Sequence, residues 1–243
     1  MDILYYLNCN GIIVGEDRFQ KESKIKDYWD VDAQISLIIE VQKILKGNKA
    51  TILPRIESTI GKEVETFIVQ TRKLSRLVSL LEEKSYKSDF DNNILNEASN
   101  VLIRAKKSIN SLNEQEYLEL IMRSMNNYEI CLGRVDEGNL KREEMTINIR
   151  TIRYLSYNMV ENDCYSYIKR LKKRGYKDSI EYIIKTFVDK TDLDEKSNRY
   201  INILASYPAE STKTLLKINY DTIFSSFGIN NYYLSGKNNL NKF

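Results

Sequence analysis

No histidine occurs anywhere in the 243 residues. Imidazole is the side chain whose ordinary pKa lies nearest neutrality, so Ser-His-Asp and Cys-His mechanisms are excluded. Cys9, Cys131 and Cys164 are an odd number at wide spacing. Without histidine they supply neither a disulfide framework nor a zinc site, and they suit a reducing compartment. No stretch of eighteen apolar residues occurs, so no membrane span is expected. The N-terminus carries Asp2, Glu16 and Asp17 where a signal peptide would have a basic flank and an apolar run, which makes a cytoplasmic location the expectation. Thirty-seven basic against thirty-four acidic residues leave a net charge of +3, too weak a field to gather nucleic acid or an anionic membrane. Only nine glycines and two prolines punctuate the chain, so long helices meet few breakers.

What is present is helical periodicity. Residues 1–19 alternate apolar positions around Gly11 and Gly15 and read as one or two short strands. From Asp30, a plausible N-cap, Val31, Ile35, Ile38, Ile39, Gln42 and Leu45 follow a helical period that Gly47 closes. The apolar stripe Val64, Phe67, Ile68, Leu74, Leu77, Val78 and Leu81 predicts a long helix over 62–83. Further helices are expected over 91–109, over 114–125 behind the cap Asn113, and over 163–174, 178–189, 192–207 and 209–227. Between them 128–132 reads as a strand, 135–144 as a charged loop, and 145–149 with 152–157 as a hairpin. Residues 236–243, rich in Asn and Lys, read as a frayed tail. No repeat of fixed period argues for a solenoid.

Helices, a strand–loop–hairpin unit and then helices again is also the element order of the larger lobe of a phosphotransferase kinase. The loop reads Cys131-Leu132-Gly133-Arg134, four residues, Asn139, and the following segment reads Leu155-Ser156-Tyr157-Asn158. This resembles the Cys-His-Gly-Asp, four residues, Asn and the later Ile-Asp-Phe-Asp of CotS-type spore coat kinases and their aminoglycoside phosphotransferase relatives. Residues 35–47 look like the family helix that ends in Leu-His-Lys-Ala-Ser-Lys-Gly, with Gln42 or a neighbour in place of the His. Residues 55–67 look like its Arg-Ser-x-Ile-Gly entry to a long helix, 163–171 like Asp-Leu-Ala-x-Phe-Leu, and 204–208 like a late helix ending in Tyr-Pro. The likeness spans roughly residues 30–220. It implies an α+β, predominantly helical fold, the C-lobe of a protein-kinase-like protein, over 30–235. Residues 1–29 are then remnant strands of an N-lobe or hinge.

In phosphoryl transfer the loop Asp receives the hydroxyl proton, while the loop Asn and the later Asp hold magnesium. The resemblance places Arg134 at the base position and Ser156 at a metal position, and keeps Asn139. A guanidinium cannot accept a proton, and a neutral hydroxyl is a poor ligand for a hard dication. Only twenty-nine residues precede Asp30, and Gly11-Ile12-Ile13-Val14-Gly15 lacks the Gly-Lys-Ser/Thr ending of a phosphate loop. The resemblance therefore implies a pseudokinase with no catalytic residue, cofactor or metal, the degenerate motif positions being Leu132, Gly133, Arg134, Asn139, Ser156 and Asn158. It also implies a protein partner, and a place in sporulation, in the mother cell or at the spore coat. The abundant Asn, Lys and Ile fit an AT-rich, Firmicutes-like genome.

Simpler readings stand beside these. Gly133, Arg134 and Asn139 also suit an ordinary polar turn. Asp136 and Glu137 read as a displaced carboxylate pair or as solvated loop charges, and Lys172-Lys173-Arg174 as an anion site or as cations matching a helix C-terminus. Tyr28, Trp29 and the tyrosines of 154–182 read as a stacking platform or as core and rim packing, and Cys131 and Cys164 as small buried apolar residues. Two further readings of the whole chain compete with the pseudokinase: an active small-molecule phosphotransferase using Asp136, Glu143 and Asp163, and an all-helical partner-binding scaffold.

Overall fold

The computed structural model describes residues 2–17, 19, 30–47 and 55–217. Helix α1 (Ile3–Cys9) leads into strand β1 (Ile12–Val14), and α2 (Val31–Leu45) follows. Then come β2 (Glu57–Ser58), α3 (Lys62–Glu83), α4 (Asp89–Asn110) and α5 (Glu114–Asn127). A cluster of short strands comes next: β3 (Ile130–Cys131), β4 (Leu140–Glu143), β5 (Thr146–Ile149) and β6 (Ser156–Tyr157). Four helices, α6 (Glu161–Lys173), α7 (Ile180–Thr191), α8 (Glu195–Ser206) and α9 (Ala209–Lys217), end the described chain. Tyr28, Trp29, the expected tail over 236–243 and the later part of the helix expected over 209–227 lie outside the described residues.

Capping chemistry sets most helix starts. Asp30, Asn113, Ser179 and Asp194 each accept a hydrogen bond from a first-turn N–H, which satisfies a donor the helix cannot use itself. Gly47 follows α2 at φ +76°, the conformation a helix-ending glycine supplies at little cost.

Two expectations are corrected. Leu4 to Leu7 are helical, because Asp2 caps Leu4 N–H and Ile3 and Leu7, one turn apart, are both buried. The hairpin is also displaced: β5 pairs antiparallel with β4, which lies inside the stretch expected to be a charged loop. Its turn is Glu144-Met145, with Glu144 at φ +51° in place of the Gly or Asn that usually marks such a turn. Residues 152–157 do not return along β5. Instead β6 pairs antiparallel with β3 and parallel with β2. The two sheets have strand orders β1-β5-β4 and β2-β6-β3, with β1 parallel to β5.

Two compact units divide the chain, one from 1–67 with 107–207 and one from 68–106 with 208–243. In the first, Leu7, Ile12, Ile35, Ile38, Leu45, Leu140, Ile149, Tyr167, Ile184 and Phe187 share one core. Each such side chain contributes about 1.5–3 kcal/mol by leaving water. Phe67 stacks on Tyr207 at 3.8 Å between ring centres, and the Tyr207 hydroxyl donates to the Phe67 carbonyl. The second unit buries Leu74, Leu77, Leu81, Ala98, Val101 and Leu215 together.

Candidate functional site: the Leu132–Asn139 loop

The motif loop leaves β3 at Cys131 and is gripped by two helices of the same unit. From α6, Asp163 accepts from Leu132 N–H at 3.1 Å and Gly133 N–H at 2.8 Å, and Ser166 donates to the Gly133 carbonyl at 2.7 Å. Three residues apart, these two side chains share a helix face. From α2, Gln34 Nε2 donates to the carbonyls of Val135 and Leu140 at 2.7 and 3.1 Å. Gln42, two turns along, donates to Asp163 at 3.1 Å and to the Val160 carbonyl. Burial pushes the Asp163 carboxyl up to about 6, against the downward pull of the bonds from Gln42, Gly133 and Leu132. Gly133 is required twice over. Its φ is +74°, and a Cβ there would stand 2.6 Å from the Tyr154 carbonyl oxygen.

Arg134, which the resemblance places at the base position, bonds to a residue of its own loop. Its Nε donates to Asp136 Oδ1 at 3.1 Å, and Arg174, just past α6, donates to Asp136 Oδ2 and Glu137 Oε2, both at 2.7 Å. Arg170 brings a third guanidinium within 3.8 Å of Asp136, which is wholly buried. The displaced carboxylate pair thus consists of one buried counter-ion and one partner of Arg174 and Tyr167. Burial raises the Tyr167 hydroxyl pKa, with the Glu137 charge adding to it.

Asn139, also wholly buried, spends its side chain on backbone. Nδ2 donates to the carbonyls of Arg134 (2.7 Å) and Thr151 (3.2 Å), and Oδ1 accepts from Thr151 N–H (3.1 Å). The residue facing Asn139 is therefore Thr151, just past β5, whose hydroxyl accepts from Arg153 N–H. Ser156 lies in the other sheet, where its hydroxyl meets Thr59 Oγ1 at 2.7 Å. Asn158 donates to that same Thr59 oxygen at 3.0 Å. The structure thus gathers Leu132, Gly133, Arg134 and Asn139 in one loop, and Ser156 with Asn158 around Thr59. No hydrogen bond joins the two groups' side chains among the described residues.

The remaining candidates are placed as follows. Glu143 sits on β4 with Lys141 Nζ at 2.5 Å and Asn148 Nδ2 at 3.3 Å. Cys131 and Cys164 are buried, and burial drives both thiols well above their ordinary range, the opposite of a reactive thiolate. Lys172 donates to the Ala205 carbonyl while Arg174 serves the loop, so two of the three cations of the triplet are held by the fold. Tyr165 and Tyr167 are core, whereas Tyr154 and Tyr182 are exposed. No group of three or more Cys, Asp or Glu that could hold a metal ion occurs among the described residues. No described helix is long and apolar enough to cross a membrane.

Sequence reasoning missed four residues: Gln34, Thr59, Ser166 and Arg123. Gln34 lay open to inspection as a polar residue two turns from Gln42 within an apolar stripe. Arg123 donates twice to Glu129 and once to Glu161, both buried, and to Ser197 at 3.0 Å. Burial alone would lower its pKa, yet the bonds it donates to Glu161 and Glu129 hold it above the usual value. Nothing in its sequence surroundings signals this cluster, because its members come from α5, the residue before β3, α6 and α8.

No family model matches the sequence, and no curated protein is significantly similar to it. Among solved structures, an aminoglycoside phosphotransferase from Alicyclobacillus acidocaldarius superposes with a TM-score of 0.59 at 11% identity. The match covers 76% of this chain and 55% of that one, so the chain spans about half the length of that enzyme. At this identity the likeness concerns the fold: a predominantly helical chain with small mixed sheets, built as an aminoglycoside-phosphotransferase-like, kinase-like fold.

Proposed function

We propose that the chain is a non-catalytic, kinase-like protein, a pseudokinase whose role is to bind a protein partner. The observation that carries this reading is the charge at the motif loop. The base position holds Arg134, bonded to the buried Asp136, and a guanidinium stays protonated at any physiological pH. The surrounding groups support it. Asn139 is occupied by Arg134 and Thr151 backbone, and both candidates for the second metal position, Ser156 and Thr151, are neutral hydroxyls. Asp163 serves the Leu132 and Gly133 amides, and Asp136 serves two arginines, so neither carboxylate has an oxygen without a partner. The loop-and-hairpin unit argues against the all-helical scaffold. The CotS-type likeness of the motif text adds sporulation, at the coat or in the mother cell, as the setting of this role.

Incubation with ATP, magnesium and a panel of hydroxylated and amino-bearing small molecules tests the proposal. The expected result is ADP release no faster than in the buffer control. Magnesium-dependent ADP release, abolished by Asp136→Asn or Asp163→Asn in a protein that still folds, would overturn it.

A further inference from the structure

We propose that Arg134, Arg170 and Arg174 form a binding site for a phosphate dianion, the phosphate group of a small molecule, at the mouth of the motif loop. Three guanidinium groups converge on Asp136. Facing them are two carboxylates, Asp136 and Glu137, so one positive charge is left over. Asp136 is wholly buried and lies inside the fan of arginines, where it acts as an internal counter-ion. The arginine side chains are 27%, 43% and 34% exposed, so each is reached by solvent.

Donors remain uncommitted on two of the three guanidinium groups, while Arg174 spends both terminal amino groups on Asp136 and Glu137. Arg134 uses only Nε, so its two terminal amino groups make no hydrogen bond among the described residues. Arg170 makes none at all, since its 3.8 Å approach to Asp136 is an ion pair beyond hydrogen-bond reach. A planar guanidinium with free N–H groups matches two oxygens of a phosphate at once, which an ammonium cannot do. Gly138 makes the convergence feasible. A Cβ there would stand 3.1 Å from Arg134 Nη2 and Asp136 Oδ2 and 3.5 Å from Arg174 Nη2, so its absence leaves the guanidinium groups room beside the loop backbone.

The site needs neither magnesium nor a nucleotide, so it goes beyond the pseudokinase reading and fails or holds separately from it. Calorimetric titration of the full chain with inorganic phosphate, without magnesium, against sodium chloride at matched ionic strength reads it directly. The expected result is saturable phosphate binding that weakens at least tenfold in Arg170→Gln, a variant that breaks no hydrogen bond of the fold. Arg170→Lys should fall between the two, because charge remains while the fork is lost. Phosphate heats equal to those of chloride, or Arg170→Gln binding as tightly as the parent protein, would overturn the proposal.

Discussion

Two buried carboxylates, one in each compact unit, show how differently the same chemical group is used. Asp163 is 1% exposed and has no cation, only two backbone amides and the Gln42 amide, and its pKa rises to about 6. Asp91 is 6% exposed and takes Lys84 Nζ at 2.8 Å together with the Ser88 amide and hydroxyl. The hydrogen bonds from Lys84 and Ser88 hold it down at about 2. At Asp163 burial outweighs the three neutral donors, whereas at Asp91 the Lys84 ammonium and the two Ser88 donors outweigh a smaller burial effect. The difference matches the tasks. Asp91 closes a capping box with Ser88 at the start of α4, a local duty that needs only a stable anion. Asp163 fastens the motif loop, thirty residues away in sequence, to α6.

The largest expected effect comes from removing the loop anchor. Asp163→Ala leaves the Leu132 and Gly133 amides unpartnered, removes one of the two bonds of the Gln42 amide, and should cost about 3–5 kcal/mol, read from the urea midpoint. Asp91→Ala, with a solvent-accessible turn around it, should cost only about 1–2 kcal/mol. Equal losses would break the comparison.

Gly133→Ala should follow at about 2–4 kcal/mol, because both its φ and the nearby Tyr154 carbonyl resist a Cβ. Gly175, also at positive φ but with open space around it, should lose about 1 kcal/mol on the same substitution.

The two carboxylates also carry opposite pH signs. With its folded pKa raised, Asp163 contributes stability that is fully present below about pH 4 and is lost as pH rises through about 6. Asp91, with its folded pKa lowered, contributes above about pH 4 and is lost as pH falls through about 2. Asp163→Asn should therefore flatten the pH dependence between 4 and 6 by on the order of 2 kcal/mol, whatever its constant cost. Lys84→Met should cost about 1 kcal/mol at neutral pH, a cost that fades on the acid limb as Asp91 takes up its proton. Urea midpoints across pH 2–8 for the three proteins check both.

How far these features could be read in advance followed the range of the interactions. The 62–83 helix is read to the residue, and Asp30 and Asn113 are recognised as caps, because periodicity and capping act within a few residues. The Gly133 to Asn139 spacing is legible for the same reason. The hairpin was displaced because β4 alternates a single buried Leu140 with Lys141, Arg142 and Glu143, and its turn carries no Gly or Asn. That displacement put Ser156 where Thr151 stands beside Asn139. The gluing of the loop by Gln34, Gln42 and Asp163 links residues about 30 to 120 apart, and no local pattern encodes such a contact.

The central claim, a kinase-like fold whose loop carries cationic charge where a base would stand, is tested most directly by magnesium. Calorimetric titration of the full chain with ATP, with and without magnesium, should give no stronger binding with the metal than without it, because phosphate–arginine contact alone is weakened when magnesium neutralises the phosphates. A saturable ATP isotherm that appears only with magnesium would contradict the account.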